Sequence, residues 1–87
     1  MTAYILRAQQ APNEEFAGFF RRFKETPGLL HAYDLQGEEN PNDTVVVTVW
    51  ESKEAADRYL KSSPLRHEVD QAVPSARRTF YNVLDSK

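Results

Sequence analysis

No cysteine occurs anywhere in the sequence, which removes disulfides, thiolate metal sites and a cysteine nucleophile together. Long apolar runs are missing too. None approaches the roughly 20 residues that cross a bilayer, and no basic-then-apolar segment opens the chain, so no membrane contact and a cytoplasmic location are expected. Basic charge is scarce: 11 Lys and Arg against 13 Asp and Glu leave a net charge of -2, which disfavours electrostatic nucleic-acid binding. The doublets Arg21-Arg22 and Arg77-Arg78 sit in mixed-charge stretches and read as solvated faces. Repeats and low-complexity linkers are absent, and the few Gly and Pro residues fall at predicted turns.

What is present fits one compact domain. Eighty-seven residues, 40% of them hydrophobic, give a core of modest stability, a size at which oligomerisation is a common supplement. The most telling segment is VVVTVW at 45–50. A strand with one face in water alternates apolar and polar residues. Here Val45, Val47 and Val49 are apolar on one face while Val46, Thr48 and Trp50 make a mostly apolar second face, so both sides need cover.

The remaining elements alternate around that strand. TAYILRAQ (2–9) reads as a strand with Tyr4, Leu6 and Ala8 on one face. Asn13 is a good N-cap, Glu14 and Glu15 suit the positive end of a helix dipole, and Phe16, Phe19, Phe20 and Phe23 fall at i, i+3, i+4 and i+7. Burial of all four rings is expected. Pro27-Gly28 ends that helix, LLHAYDLQG (29–37) resumes as a strand, and ENPND (39–43) turns. Ser52 caps a helix carrying Ala55, Ala56, Tyr59 and Leu60, Ser63-Pro64 starts a further helical turn, and ARRTFYNVL (76–84) is the last strand.

The order βαββαβ predicts an α+β, ferredoxin-like split βαβ sandwich with a four-stranded antiparallel sheet. Right-handed crossovers put both helices on one side of such a sheet. The other side is left bare, on the order of 400 Å² in projection, unless Arg7, Asp34 or Arg77 interrupts it. A homodimer packed through this helix-free face is the expectation.

WESKEAADRYLKSSPL, following an apolar strand and downstream of PGLL, resembles the antibiotic biosynthesis monooxygenase family, small proteins that form dimeric α/β barrels. The likeness in element order covers nearly the whole chain, making 1–87 one such domain; its sequence-specific part is Pro27-Gly28, Trp50, Ser52, Glu54-Ala55, Leu60 and Ser62 to Leu65. The resemblance implies a pocket between sheet and helices, where active members oxidise aromatic or quinol-like compounds with molecular oxygen and without metal or flavin. It points to Trp50, Thr48 and Leu60 as substrate-binding walls and to Tyr59 as a catalytic candidate, to which the strand position of His31 adds a second. Oxidation of this kind needs a group that takes or stabilises a proton, an apolar chamber and exclusion of water.

Departures from the family pattern narrow the chemistry. Many members carry His where this chain has Tyr59, and a phenol with an ordinary pKa near 10 donates a hydrogen bond rather than acting as a base at neutral pH. An acidic residue is common at Thr48, and aromatic-oxidising relatives place Asn where Val46 can only pack. Related haem-degrading oxygenases use a ligating His at the position of Val69, so no cofactor is implied. His31 shares a strand face with Tyr33 and Leu35 and is either a pocket base or an interfacial residue, while His67 lies in a charged turn; neither has the i+4 partner of a metal site. Three classes compete: a cofactor-independent monooxygenase of a small aromatic or quinol-like compound, a non-catalytic small-molecule-binding or stress-related dimer, and an RNA-binding sheet. DTVVVTVW lacks the Gly-aromatic pattern of the last.

Overall fold

A computed structural model of the chain describes residues Met1–Lys87. Its elements are β1 (Thr2–Ala8), α1 (Glu14–Phe23), β2 (Leu29–Gln36), β3 (Thr44–Trp50), α2 (Lys53–Ser62), α3 (Pro64–Ala72) and β4 (Arg77–Asn82). The four strands form one antiparallel sheet in the order β2-β3-β1-β4, the split βαβ arrangement expected from the sequence. The expected extra turn before β4 is a nine-residue helix, α3, about two and a half turns long.

Local chemistry sets the helix starts. Asn13 Oδ1 accepts from the Phe16 amide at 2.8 Å, and Ser52 Oγ accepts from the Ala55 amide at 3.2 Å. Ser63 ends α2 and begins α3, its Oγ accepting from the Leu65 amide at 3.3 Å, with Pro64 in the first turn where its missing N–H is not needed. Gly28 carries a φ of 86°, and a Cβ there would stand 2.8 Å from Ala55 Cβ. A side chain at position 28 would therefore be strained in conformation and would also push α2 off the sheet.

Strand parity fixes which residues face the helices. Tyr4, Leu6 and Ala8 of β1 and Thr44, Val46, Thr48 and Trp50 of β3 are buried, and Trp50 is fully inaccessible. The intervening Ala3, Ile5, Val45, Val47 and Val49 lie on the opposite face, covered only in part by their neighbours. The molecule measures 30 × 30 × 19 Å, a thickness of one sheet and one helix layer.

Two expectations need correction. Of the four rings on α1, Phe16 and Phe23 are buried, but Phe19 and Phe20 remain half-exposed at the rim, because the stripe is wider than the sheet surface that receives it. The second concerns Asp34, expected among the residues that interrupt the bare face. It is the register partner of Val46 and so belongs to the helix side, whereas Arg7 and Arg77 do lie on the bare side.

Phe16→Ala should therefore destabilise the domain by about 3 to 5 kcal/mol, the usual effect of truncating a buried Phe, and Phe20→Ala by roughly half as much in proportion to the area it buries. Chemical denaturation of both variants checks this. Equal losses would mean that Phe20 is as deeply packed as Phe16.

Candidate functional site

The helix side of the sheet contains a small, partly open apolar cavity. It is bounded by Tyr4 and Leu6 of β1, Val46 and Thr48 of β3, the four phenylalanines of α1, Tyr59 of α2 and Val69 of α3. Its free volume is about 20 Å³, room for one water-sized sphere, so the walls are nearly in contact. The phenylalanine stripe that the sequence assigns to the core thus also forms one entire wall. Phe19 and Phe20, the half-exposed pair, make its outer part.

Aromatic rings hold the inner wall. Phe23 packs on Tyr59 with centroids 4.6 Å apart and edge-on against Trp50 at 5.9 Å, and Tyr59 stacks on Trp50 at 5.8 Å. Trp50 therefore stands behind Tyr59 and Phe23 and supports the cavity without lining it. Its indole Nε1 donates to Thr48 Oγ1 at 2.9 Å, and Thr48 Oγ1 donates to the Tyr4 carbonyl at 2.9 Å. The Thr48 hydroxyl is engaged in both directions, so Thr48 borders the cavity with no free donor for a ligand.

The other sequence candidates are placed as follows. Tyr59 lines the cavity, and its opposite side borders an open polar groove with Arg22, Arg58 and Ser62. Leu60 packs against the core but does not reach the cavity. His31 is the register partner of Val49, on the helix-free face, and does not meet Tyr59. An irregularity between Leu29 and His31 explains why: Leu29 pairs with Trp50 and turns inward, and the register shift sends His31 outward.

Residues that the sequence alone did not mark as site residues lie at the β4 side. Tyr4 is 2% exposed, its ring 4.8 Å from Phe80, and its hydroxyl has no hydrogen-bond partner. Burial pushes its pKa up to about 12, against a lowering pull from Arg78 and Arg66. Burial likewise raises the Tyr59 phenol, with Tyr4 adding to the effect. Both phenols are neutral at neutral pH, able to donate a hydrogen bond and unable to act as bases. The period-two link of Tyr4 to Leu6 and Ala8 was visible in the sequence, but the face they share with Trp50 depends on the β1–β3 register.

The sequence model of the antibiotic biosynthesis monooxygenase family matches residues 7–71. Among solved structures, SnoaB, a cofactor-independent oxygenase from Streptomyces nogalater, is 21% identical over 98% of this chain and 94% of its own, with a TM-score of 0.75. A single-residue variant of SnoaB aligns over the same shares of the two chains at 18% identity and a TM-score of 0.79. Rv0793 from Mycobacterium tuberculosis is 17% identical over 98% of this chain and 96% of its own, with a TM-score of 0.77. At these identities the likeness is one of fold. Among curated proteins no sequence matches.

Thr48→Val removes the only acceptor of a fully buried indole N–H while keeping the side-chain shape. Stability should fall by about 1 to 3 kcal/mol, the penalty for a buried unpaired donor. Denaturant unfolding followed by Trp50 fluorescence measures it, and a neutral result would show that the indole finds another acceptor.

Proposed function

The chain belongs to the antibiotic biosynthesis monooxygenase family, and from that premise we propose that it is a cofactor-independent monooxygenase acting on a small aromatic or quinol-like compound. The observation that carries this reading is the cavity itself: a chamber walled almost entirely by apolar side chains, most of them aromatic rings, with two neutral phenols among its walls. For oxidation of a phenol to a quinone the balance closes without a reductant. A ring C–H and the phenolic O–H are lost, one oxygen atom becomes the new carbonyl, the other leaves as water, and all four electrons come from the substrate.

In this reading Tyr59 is a hydrogen-bond donor to the oxygen on which negative charge develops, and the rings of α1 hold the substrate plane and exclude water. A ligand of that size needs far more than 20 Å³, so the wall must move. Phe19 and Phe20 are the side that can do so, since their outer edges already meet solvent. A second reading has its own support: no residue lining the cavity is basic at neutral pH, which suits a protein that binds such a compound without oxidising it.

Oxygen uptake separates the two. With a panel of hydroquinones and polycyclic phenols, an oxygen electrode should record one O₂ consumed per substrate. Tyr59→Phe should slow turnover about 10²- to 10³-fold, the effect of losing one oxyanion donor. A ligand-dependent change in Trp50 fluorescence without oxygen uptake would favour the binding protein.

Assembly belongs to the same reading. The helix-free face carries Ile5, Val45, Val47 and Val49 with exposed Tyr33, Leu35 and Tyr81, an apolar surface that a second copy would cover. Arg7 interrupts it at one end, where its guanidinium is turned to Asp43 at 2.8 Å. Sedimentation should give a homodimer at micromolar concentration, and Val47→Lys, a charge at the centre of that face, should give a folded monomer. A monomeric parent protein would remove the assembly reading.

A further inference from the structure

The floor of the cavity is part of a row that crosses the whole sheet. On the helix side the register places Asp34 of β2 beside Val46 of β3, Val46 beside Leu6 of β1, and Leu6 beside Arg78 of β4. Val46 and Leu6 line the cavity, so its apolar floor is flanked by a carboxylate on one edge strand and a guanidinium on the other.

The two edges are finished differently. Arg78 is largely buried and paired with Asp70 of α3, which closes the β4 end. At the β2 end Ala32 is half-buried, Asp34 and Gln36 are exposed, and Asp34 belongs to none of the four ion pairs of the chain. Partial burial nevertheless raises its carboxyl above the ordinary value, with no cation to offset the effect. The half-exposed outer wall lies toward this same end: Lys24, whose ammonium stands 5.6 Å from the centre of the Phe20 ring, also borders Leu29 to Ala32 of β2. A ligand that displaces Phe20 therefore extends toward Asp34, since α3 blocks the other direction.

We propose that Asp34 is the outer end of the ligand site and accepts a hydrogen bond from a second hydroxyl of the substrate, so that the compound taken is a two-ring aromatic diol in preference to a phenol with one hydroxyl. The inference rests on the reading of the cavity as an aromatic pocket and narrows its substrate class. Neighbouring strands lie about 4.8 Å apart, so Leu6 and Asp34 are separated by about 10 Å across the row, close to the length of such a diol. One ring occupies the enlarged cavity over Val46 and Leu6, and the hydroxyl of the other reaches the carboxylate at the open edge. The charge-assisted bond to a carboxylate is stronger than a neutral pair, and the same charge repels a ligand that ends there in a carboxylate of its own.

Calorimetry under nitrogen reads binding without oxidation, with 2,6-dihydroxynaphthalene and 6-methoxy-2-naphthol as probes of one ring system and similar length. The parent protein should bind the diol at least tenfold more tightly than the ether, which has one donor fewer. Asp34→Ala should bind the diol about ten- to hundredfold more weakly, the worth of a hydrogen bond to a charged group, while the ether keeps its affinity. Asp34→Asn, which keeps an acceptor without the charge, should fall between the two. Denaturant midpoints of both variants should match the parent, because Asp34 is exposed and unpaired. Equal affinity of the parent for the two probes, or an Asp34→Ala protein that keeps the preference for the diol, overturns the assignment and leaves the aromatic pocket standing; Asp34 then only guards the sheet edge. Failure of both probes to bind the parent removes the pocket and its outer end together.

Discussion

A buried indole N–H must find an acceptor, and meeting that requirement organises the helix side of this protein. Trp50 Nε1 is satisfied by Thr48 Oγ1, whose own proton goes to the Tyr4 carbonyl on the neighbouring strand. The relay locks the indole plane against the end of the sheet. Phe23 and Tyr59 pack on that plane, so the anchoring residues of α1 and α2 are positioned by it. Gly28 completes the corner: without a side chain there, α2 comes close enough for Tyr59 to lie over Trp50.

A chain of rings held this way makes one end of the cavity rigid and leaves the other loose. The inner wall is built from residues that are nearly inaccessible, whereas the outer wall depends on Phe19 and Phe20, which bury only part of their surface. Motion of the outer pair loses less hydrophobic stabilisation than displacement of Phe16 or Phe23 would. Entry from the α1 side therefore preserves the Trp50 relay.

Much of this was legible in the sequence, for reasons that differ by element. Caps and breakers are local, and Asn13, Ser52, Ser63-Pro64 and Pro27-Gly28 fall where their side-chain and backbone chemistry dictates. The double apolar character of VVVTVW correctly announced one face under helices and a second apolar face, which the chain's own residues cover only in part. What sequence could not supply was absolute phase. The shift between Leu29 and His31 separates two residues that strict alternation would put on one face, so neither the placement of His31 nor that of Asp34 follows from counting along β2. The pairing of Arg78 and Asp70 was hidden for a similar reason: the doublet Arg77-Arg78 looks like solvated charge until β4 alternation sends Arg78 to the helix side.

The two sheet faces bear on each other through stability. Only 16 of 87 residues are buried, a small core even for a domain of this size. Opening the cavity separates part of the α1 stripe from the sheet and draws on that limited stability. In the proposed homodimer a second copy covers the apolar face and supplies additional burial on the side of the sheet away from the cavity, so the strands bearing Tyr4, Thr48 and Trp50 would stay aligned if α1 shifted. On this view the valines at 45, 47 and 49 and the aromatic rings on the opposite face serve one purpose. The first set holds the sheet that the second set must open against.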